Sequence, residues 1–99
     1  MQIRLIVPTH NDDIVKPYRG RLIAACGGTT QTQGQGYWVN SDGHIVSDDV
    51  TILDADARPV PEYQLWRIAR DIAKDLHQDC TYLRIGDNVH LIDSQGFDA

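Results

Sequence analysis

The sequence predicts an α+β fold of the ferredoxin-like type: an antiparallel sheet in βαββαβ order, with two helices on one face and an extra C-terminal edge strand. Two segments carry a single apolar stripe at helical spacing, which suits helices that cover one face of a sheet. The strand-like segments occur in the split order, and tight turns join neighbouring strands. A length of 99 residues fits one domain over residues 1–99.

A strand and a helix open the chain. Residues 2–8 place apolar side chains at alternate positions and end in a proline, which is typical of a strand. The helix that follows has Asn11 or Asp12 as its capping residue, because both side chains can accept a hydrogen bond from the first turn. Two glycines after Cys26 end this helix, because glycine adopts the left-handed conformation freely.

A long hairpin comes next. Residues 29–40 favour extended backbone, and an Asn-Ser-Asp-Gly turn leads into a returning strand over residues 44–53. Tyr37 and Trp38 are adjacent in the first strand of the hairpin and therefore face opposite sides of the sheet. We expect one ring to lie in the core and the other to be exposed as a contact anchor.

The last third of the chain supplies a second helix and two strands. Residues 62–78 repeat apolar side chains at helical spacing, with charged side chains on the opposite side. Residues 81–85 and 89–92 are two short strands, joined by a Gly-Asp-Asn hairpin turn. Residues 94–99 are expected to form a frayed tail.

The charge is unevenly distributed along the chain. The net charge is −5, and residues 22–57 contain five aspartates but no lysine or arginine. A field of one sign over a third of the chain repels nucleic acid and favours basic partners. A solvated acidic face that keeps the protein soluble would give the same pattern.

Motifs for catalysis or metal binding are weak. The two cysteines match no metal or redox spacing, and the glycine-rich run over residues 27–38 leaves a helix rather than entering one, unlike a phosphate loop. We therefore expect no metal and no cofactor. His10 with Asp12 or Asp13 could act as a general base in the first loop, but helix capping and solvation explain these residues more simply.

A pattern of glycines, threonine, tryptophan and an Asp-Gly turn runs from Gly27 to Ile45, as G-G-x-T-x-x-x-G-x-G-x-W-x-x-x-D-G-x-I. It resembles a pattern in small uncharacterised proteins of bacteria, phages and mobile elements. Those proteins also open with a strand and a helix and close with a helix and a strand. The resemblance implies a fold and a genomic neighbourhood, and no catalytic residue is carried over from it.

From these observations we predict a non-enzymatic acidic binding protein, a phage or mobile-element inhibitor of a host defence nucleoprotein complex of the CRISPR type. Its carboxylates would stand in for phosphates on a basic protein surface, without direct contact to nucleic acid or membrane. No apolar segment could span a bilayer and no signal peptide is found, so a cytoplasmic setting is expected. The predicted partner-binding residues are Tyr37, Trp38, Asp42, Asp48, Asp49, Asp54 and Asp56.

Two alternatives stay open. The first is a homodimer that binds a small ligand, a nucleotide or a metabolite, because ferredoxin-like sheets leave one face free for pairing. The second and weaker alternative is a small enzyme that uses His10 with Asp12 or Asp13.

Overall fold

A computed structural model describes residues 1–98 and confirms the predicted α+β fold class. The elements are β1 (Gln2–Val7), α1 (Asp12–Cys26), β2 (Thr30–Val39), β3 (Ile45–Asp56), α2 (Glu62–Asp75), β4 (Thr81–Ile85) and β5 (Asn88–Ile92). The strands form one antiparallel sheet in the order β2-β3-β1-β4-β5. This is the ferredoxin-like arrangement with β5 as the extra edge strand.

The core lies between the sheet and the two helices. Leu5 of the central strand β1 pairs with Leu53 of β3 on one side and with Leu83 of β4 on the other, and all three are buried. Each helix buries one apolar stripe against this layer. The buried helical residues are Val15, Tyr18 and Leu22 in α1 and Leu65, Ile68, Ala69, Ile72 and Ala73 in α2. Neither of the two described helices is long and apolar enough to cross a membrane.

The ends of α1 form as the sequence predicts. Asn11 is the N-cap, and its side-chain oxygen accepts a hydrogen bond from the Asp13 backbone N–H at 3.0 Å. Gly27 closes the other end with a φ of +91°, a conformation that strains other residues. The Tyr18 hydroxyl donates to Asp75 at 2.7 Å and so links the two helices. Burial and this hydrogen bond raise the pKa of Tyr18 to about 12.

The β2–β3 hairpin extends beyond the layer of helices. β2 pairs with β3 along all of its 10 residues, and none of its residues is buried. Tyr37 is 69% exposed and Trp38 is 40% exposed. The prediction that one of these rings lies in the core is therefore wrong, because the helices do not cover β2. The overhanging hairpin also makes the molecule elongated, at 41 × 26 × 23 Å.

Hydrogen bonds hold the C-terminal segment over residues 93–98. Asp93 Oδ1 accepts hydrogen bonds from two backbone N–H groups of the following turn, at 2.9 and 3.0 Å. Asp98 then forms a bridge with Ile92 at the end of β5. The prediction of a frayed tail is wrong for residues 94–98, and Ala99 lies outside the described residues.

Candidate functional site

The β2–β3 hairpin presents different side chains on its two faces, because alternate residues of a strand point in opposite directions. The face on the helix side carries Gln35, Tyr37 and Asp49. The opposite face, which we call the open face, carries Trp38 and Asp48. The two adjacent acids of β3 therefore belong to different surfaces.

A polar cluster forms on the helix side, where the β1–α1 loop meets the hairpin. His10 Nε2 lies 3.1 Å from the Gly34 carbonyl oxygen, and His10 Nδ1 lies 3.8 Å from Asp49 Oδ2. The amide of Gln35 donates a hydrogen bond to the other oxygen of Asp49. The Gly34 carbonyl oxygen can only accept a hydrogen bond, so the proton of this contact is on His10 Nε2. In a neutral His10 ring, the nitrogen that faces the Asp49 carboxylate, Nδ1, is then unprotonated. We call His10, Gln35, Tyr37 and Asp49 the hairpin cluster.

The carboxylate beside His10 is not one of the two that the sequence predicted. Asp12 forms an ion pair with Arg19, at 2.6 Å between Oδ1 and Nη1, and the hydrogen bond from Arg19 lowers the pKa of Asp12. Asp13 lies in the first turn of α1. Asp49 takes their place because the fold brings the hairpin against the first loop, a contact between segments far apart in the sequence.

The hairpin cluster is accessible and negatively charged. The Asp49 side chain is 59% exposed, and Tyr37 is more exposed still. A carboxylate attracts a cation by charge, and an aromatic ring attracts one through the negative face of its π-system. The Gln35 amide orients the carboxylate through its hydrogen bond, and the His10 ring lies beside it. The cluster therefore suits an organic cation. Within residues 1–98, no three His, Cys, Asp or Glu side chains are grouped as metal ligands.

The other predicted partner-binding aspartates do not join these acids into one surface. Asp42 lies in the exposed turn of the hairpin. Asp54 accepts two hydrogen bonds from Arg4, at 2.7 and 3.0 Å, and these bonds lower the pKa of Asp54. Asp56 Oδ1 lies 3.6 Å from the amino group of Met1. Two of the predicted residues are thus paired with cations of the chain itself.

The Arg4–Asp54 pair makes stability depend on pH. Because the pKa of Asp54 is below its ordinary value of 3.8, the stabilisation is present above that value and is lost as the pH falls through the lowered pKa. We expect the free energy of unfolding to decline more steeply below about pH 4 in the wild type than in Asp54→Asn. Urea unfolding at several pH values measures the slope. Asp42→Asn should keep the wild-type slope, and an unchanged slope in Asp54→Asn would contradict the assignment.

Solved structures of other proteins share the fold of this chain. No family model and no characterised protein sequence matches the chain. A phage SAM lyase in complex with S-methyl-5′-thioadenosine matches with a TM-score of 0.72 and 13% identity, over 98% of this chain and 92% of that chain. A phage SAM lyase in the apo state matches with a TM-score of 0.67 and 13% identity, over 98% and 91%. The chain therefore shares the fold of these structures over almost its whole length.

This comparison corrects the functional prediction. The non-enzymatic acidic inhibitor is wrong, and so is the preference for a protein without catalysis, because the solved chains that share the fold are those of a phage lyase. The geometry also removes the physical basis of that prediction, since Asp48 and Asp49 lie on opposite faces and Asp54 is bound to Arg4. The basic protein partner and the resemblance of the hairpin sequence pattern stay predictions that no observation here tests.

Proposed function

We propose that this chain is a lyase that binds an S-adenosyl sulfonium compound and releases its S-methyl-5′-thioadenosine part. The observation that carries the proposal is the match over 98% of the chain to a phage SAM lyase in complex with S-methyl-5′-thioadenosine. The match also covers 92% of the other chain, so it involves the whole architecture rather than one motif.

The hairpin cluster is the substrate site in this proposal. S-Adenosylmethionine carries a positively charged sulfur, which a carboxylate and the face of an aromatic ring both attract. Asp49 supplies the carboxylate and Tyr37 supplies the ring, on the same face of the hairpin. Asp42 in the hairpin turn and Asp48 on the other face add negative charge to the same hairpin, which steers a cation towards it. In this view, the acidic stretch serves a cationic small molecule.

The reaction requires one C–S bond of the sulfonium to break. The electron pair stays on sulfur, which becomes a neutral thioether. The carbon that loses sulfur either forms a bond to the substrate's own carboxylate oxygen, which closes a ring, or forms a double bond to its neighbour, which gives up a proton to water. No oxidant or reductant takes part in either route. Because the positive charge on sulfur disappears during the reaction, Asp49 stabilises the bound substrate more than the transition state. Its carboxylate therefore contributes to substrate binding and favours release of the neutral product.

Incubation of the purified chain with S-adenosylmethionine tests the proposal. We expect S-methyl-5′-thioadenosine and a four-carbon amino-acid product in equal amounts, at a rate well above spontaneous decay in buffer. Liquid chromatography measures the first product, and NMR distinguishes a cyclic from an unsaturated second product. Heat-unfolded chain is the control. Release no faster than in that control would overturn the proposal.

His10 is a positioning residue in this proposal, because its contacts are to the Gly34 carbonyl and the Asp49 carboxylate. We expect His10→Ala to lower kcat/KM about tenfold, which corresponds to about 1.4 kcal/mol. His10→Gln should restore most of this loss, because a glutamine amide can donate the hydrogen bond to the Gly34 oxygen. Steady-state kinetics measure both variants, and circular dichroism checks that they fold. A glutamine variant as slow as the alanine variant would show that the imidazole takes part in the chemistry instead.

A further inference from the structure

Two arginines lie side by side on the open face of the sheet. Arg4 of β1 is the direct cross-strand partner of Arg84 of β4, and Asp54 of β3 is the partner of Arg4 on its other side. Like charges that face each other on neighbouring strands repel. Asp54 compensates Arg4 through two hydrogen bonds. The row of charges Asp54–Arg4–Arg84 therefore has one positive charge in excess, and it lies at Arg84.

Arg84 is also incompletely satisfied by the protein. Its Nε is one of two buried side-chain polar atoms that have no hydrogen-bond partner within residues 1–98, and the other is Thr81 Oγ1. Buried donors are nearly always paired in folded proteins, and an exception on a charged group calls for an explanation such as a nearby water or ion. A guanidinium needs an acceptor more than a hydroxyl does, because it carries a full charge.

A depression of about 340 Å³ opens over this pair of arginines. Besides the three charged residues of the row, Gln2, Thr30 and Asp56 form its walls. Thr30 is the cross-strand partner of Asp54, so its hydroxyl lies at the far end of the same row. The lining thus combines two guanidiniums, a hydroxyl and an amide with the carboxylates of Asp54 and Asp56 and with the apolar Ile3 and Ala55.

We propose that this depression binds a small oxyanion, the carboxylate or phosphate group of a ligand, with Arg84 as the main recognition residue. A guanidinium presents a planar fork of donors that matches two oxygens of such a group. Arg4 adds positive charge nearby, while its pairing with Asp54 keeps it in place. The carboxylates of Asp54 and Asp56 in the walls favour an anion of low charge over a highly charged one. The site lies on the opposite face from the hairpin cluster and does not depend on its function.

NMR of the arginine Nε–H groups tests the proposal directly on the wild-type chain. Inorganic phosphate and acetate are titrated separately at constant ionic strength, with chloride as the reference anion. We expect a saturable change at the Arg84 Nε–H signal with at least one of the two anions, and no saturable change with chloride. Acetate alone would identify a carboxylate site, phosphate alone a phosphate site, and both a general oxyanion site. An Arg84 signal that follows chloride in both titrations would overturn the proposal.

Substitutions supply the second test. Arg84→Gln should weaken at least tenfold the binding of whichever anion, phosphate or acetate, gives the saturable change. Arg84→Lys should weaken that binding less, because the charge remains. Arg67→Gln is the matched control, since it removes the same charge from α2, where the guanidinium lies over the Tyr63 ring at 5.1 Å. Binding that is equally strong in Arg84→Gln and in Arg67→Gln would overturn the proposal. Cleavage of S-adenosylmethionine is measured in the wild type and in Arg84→Gln as well. Absence of cleavage in the wild type counts against the lyase function alone, and unchanged anion binding in Arg84→Gln counts against this site alone.

Discussion

Asp49→Asn is expected to lower kcat/KM for the proposed cleavage by about tenfold to a hundredfold, or about 1.4 to 2.8 kcal/mol, through weaker substrate binding. The substitution keeps the shape of the side chain but removes the charge that faces the sulfonium. It also leaves His10 Nδ1 and the Gln35 amide opposite a neutral group. Because the charge on sulfur is lost during the reaction, we expect the fall in kcat/KM to come from a higher KM, with kcat unchanged or slightly increased. Initial rates over a range of substrate concentrations separate the two.

The neighbouring residue provides a matched control for this experiment. Asp48→Asn makes the same chemical change one position along β3, but on the open face. We expect it to leave KM within about twofold of the wild-type value, since a charge on the other side of a sheet is screened from the substrate. If Asp48→Asn lost as much activity as Asp49→Asn, the net charge of the hairpin would be responsible. If it lost more, the substrate site would lie on the open face beside Trp38.

The fold was predictable because its signals are local. Each helix has an apolar stripe that repeats at helical spacing, and two glycines follow Cys26, where the first helix ends. The hairpin turn follows from the local sequence as well, with Asp42 and Gly43 at its tip. These patterns depend on neighbours along the chain, and a few such elements in the right order leave few ways to form one sheet.

The site was not predictable in the same way, because it depends on contacts between distant segments. The contact between His10 and Asp49 brings the first loop beside the middle of β3, and Gln35 of β2 donates a hydrogen bond to the same carboxylate. Nothing in the local sequence marks either contact. The exposure of Tyr37 is similar, since it depends on how far the helices reach across the sheet.

One signal in the sequence did argue against a continuous acidic surface. Adjacent residues of a strand face opposite sides, so Asp48 and Asp49 could not act on one partner surface once that segment was taken as a strand. A count of charges along the chain ignores this alternation. The mutual positions of Arg4 and Asp54 needed the sheet order, which places β1 beside β3.

Leu5→Ala is expected to have the largest effect on stability, a loss of about 2–5 kcal/mol. Leu5 lies in the central strand between Leu53 and Leu83, and its side chain is 1% exposed. Its truncation leaves a cavity that neighbours from two strands and the helix layer cannot fill without moving. A domain of this size is stable by only about 5–15 kcal/mol, so the loss is a large part of the total. The midpoint of thermal unfolding should fall by more than about 10 °C.

Leu91→Ala is the matched control for this prediction, because it removes the same atoms from a side chain that is 40% exposed on the edge strand β5. We expect it to cost less than about 1 kcal/mol, since little apolar surface is returned to water. Urea unfolding followed by tryptophan fluorescence measures both variants, and the dependence of the free energy on urea should stay the same. Equal losses in the two variants would mean that β1 does not occupy the centre of the sheet. The core assigned here, and with it the placement of the hairpin cluster beside the first loop, would then be incorrect.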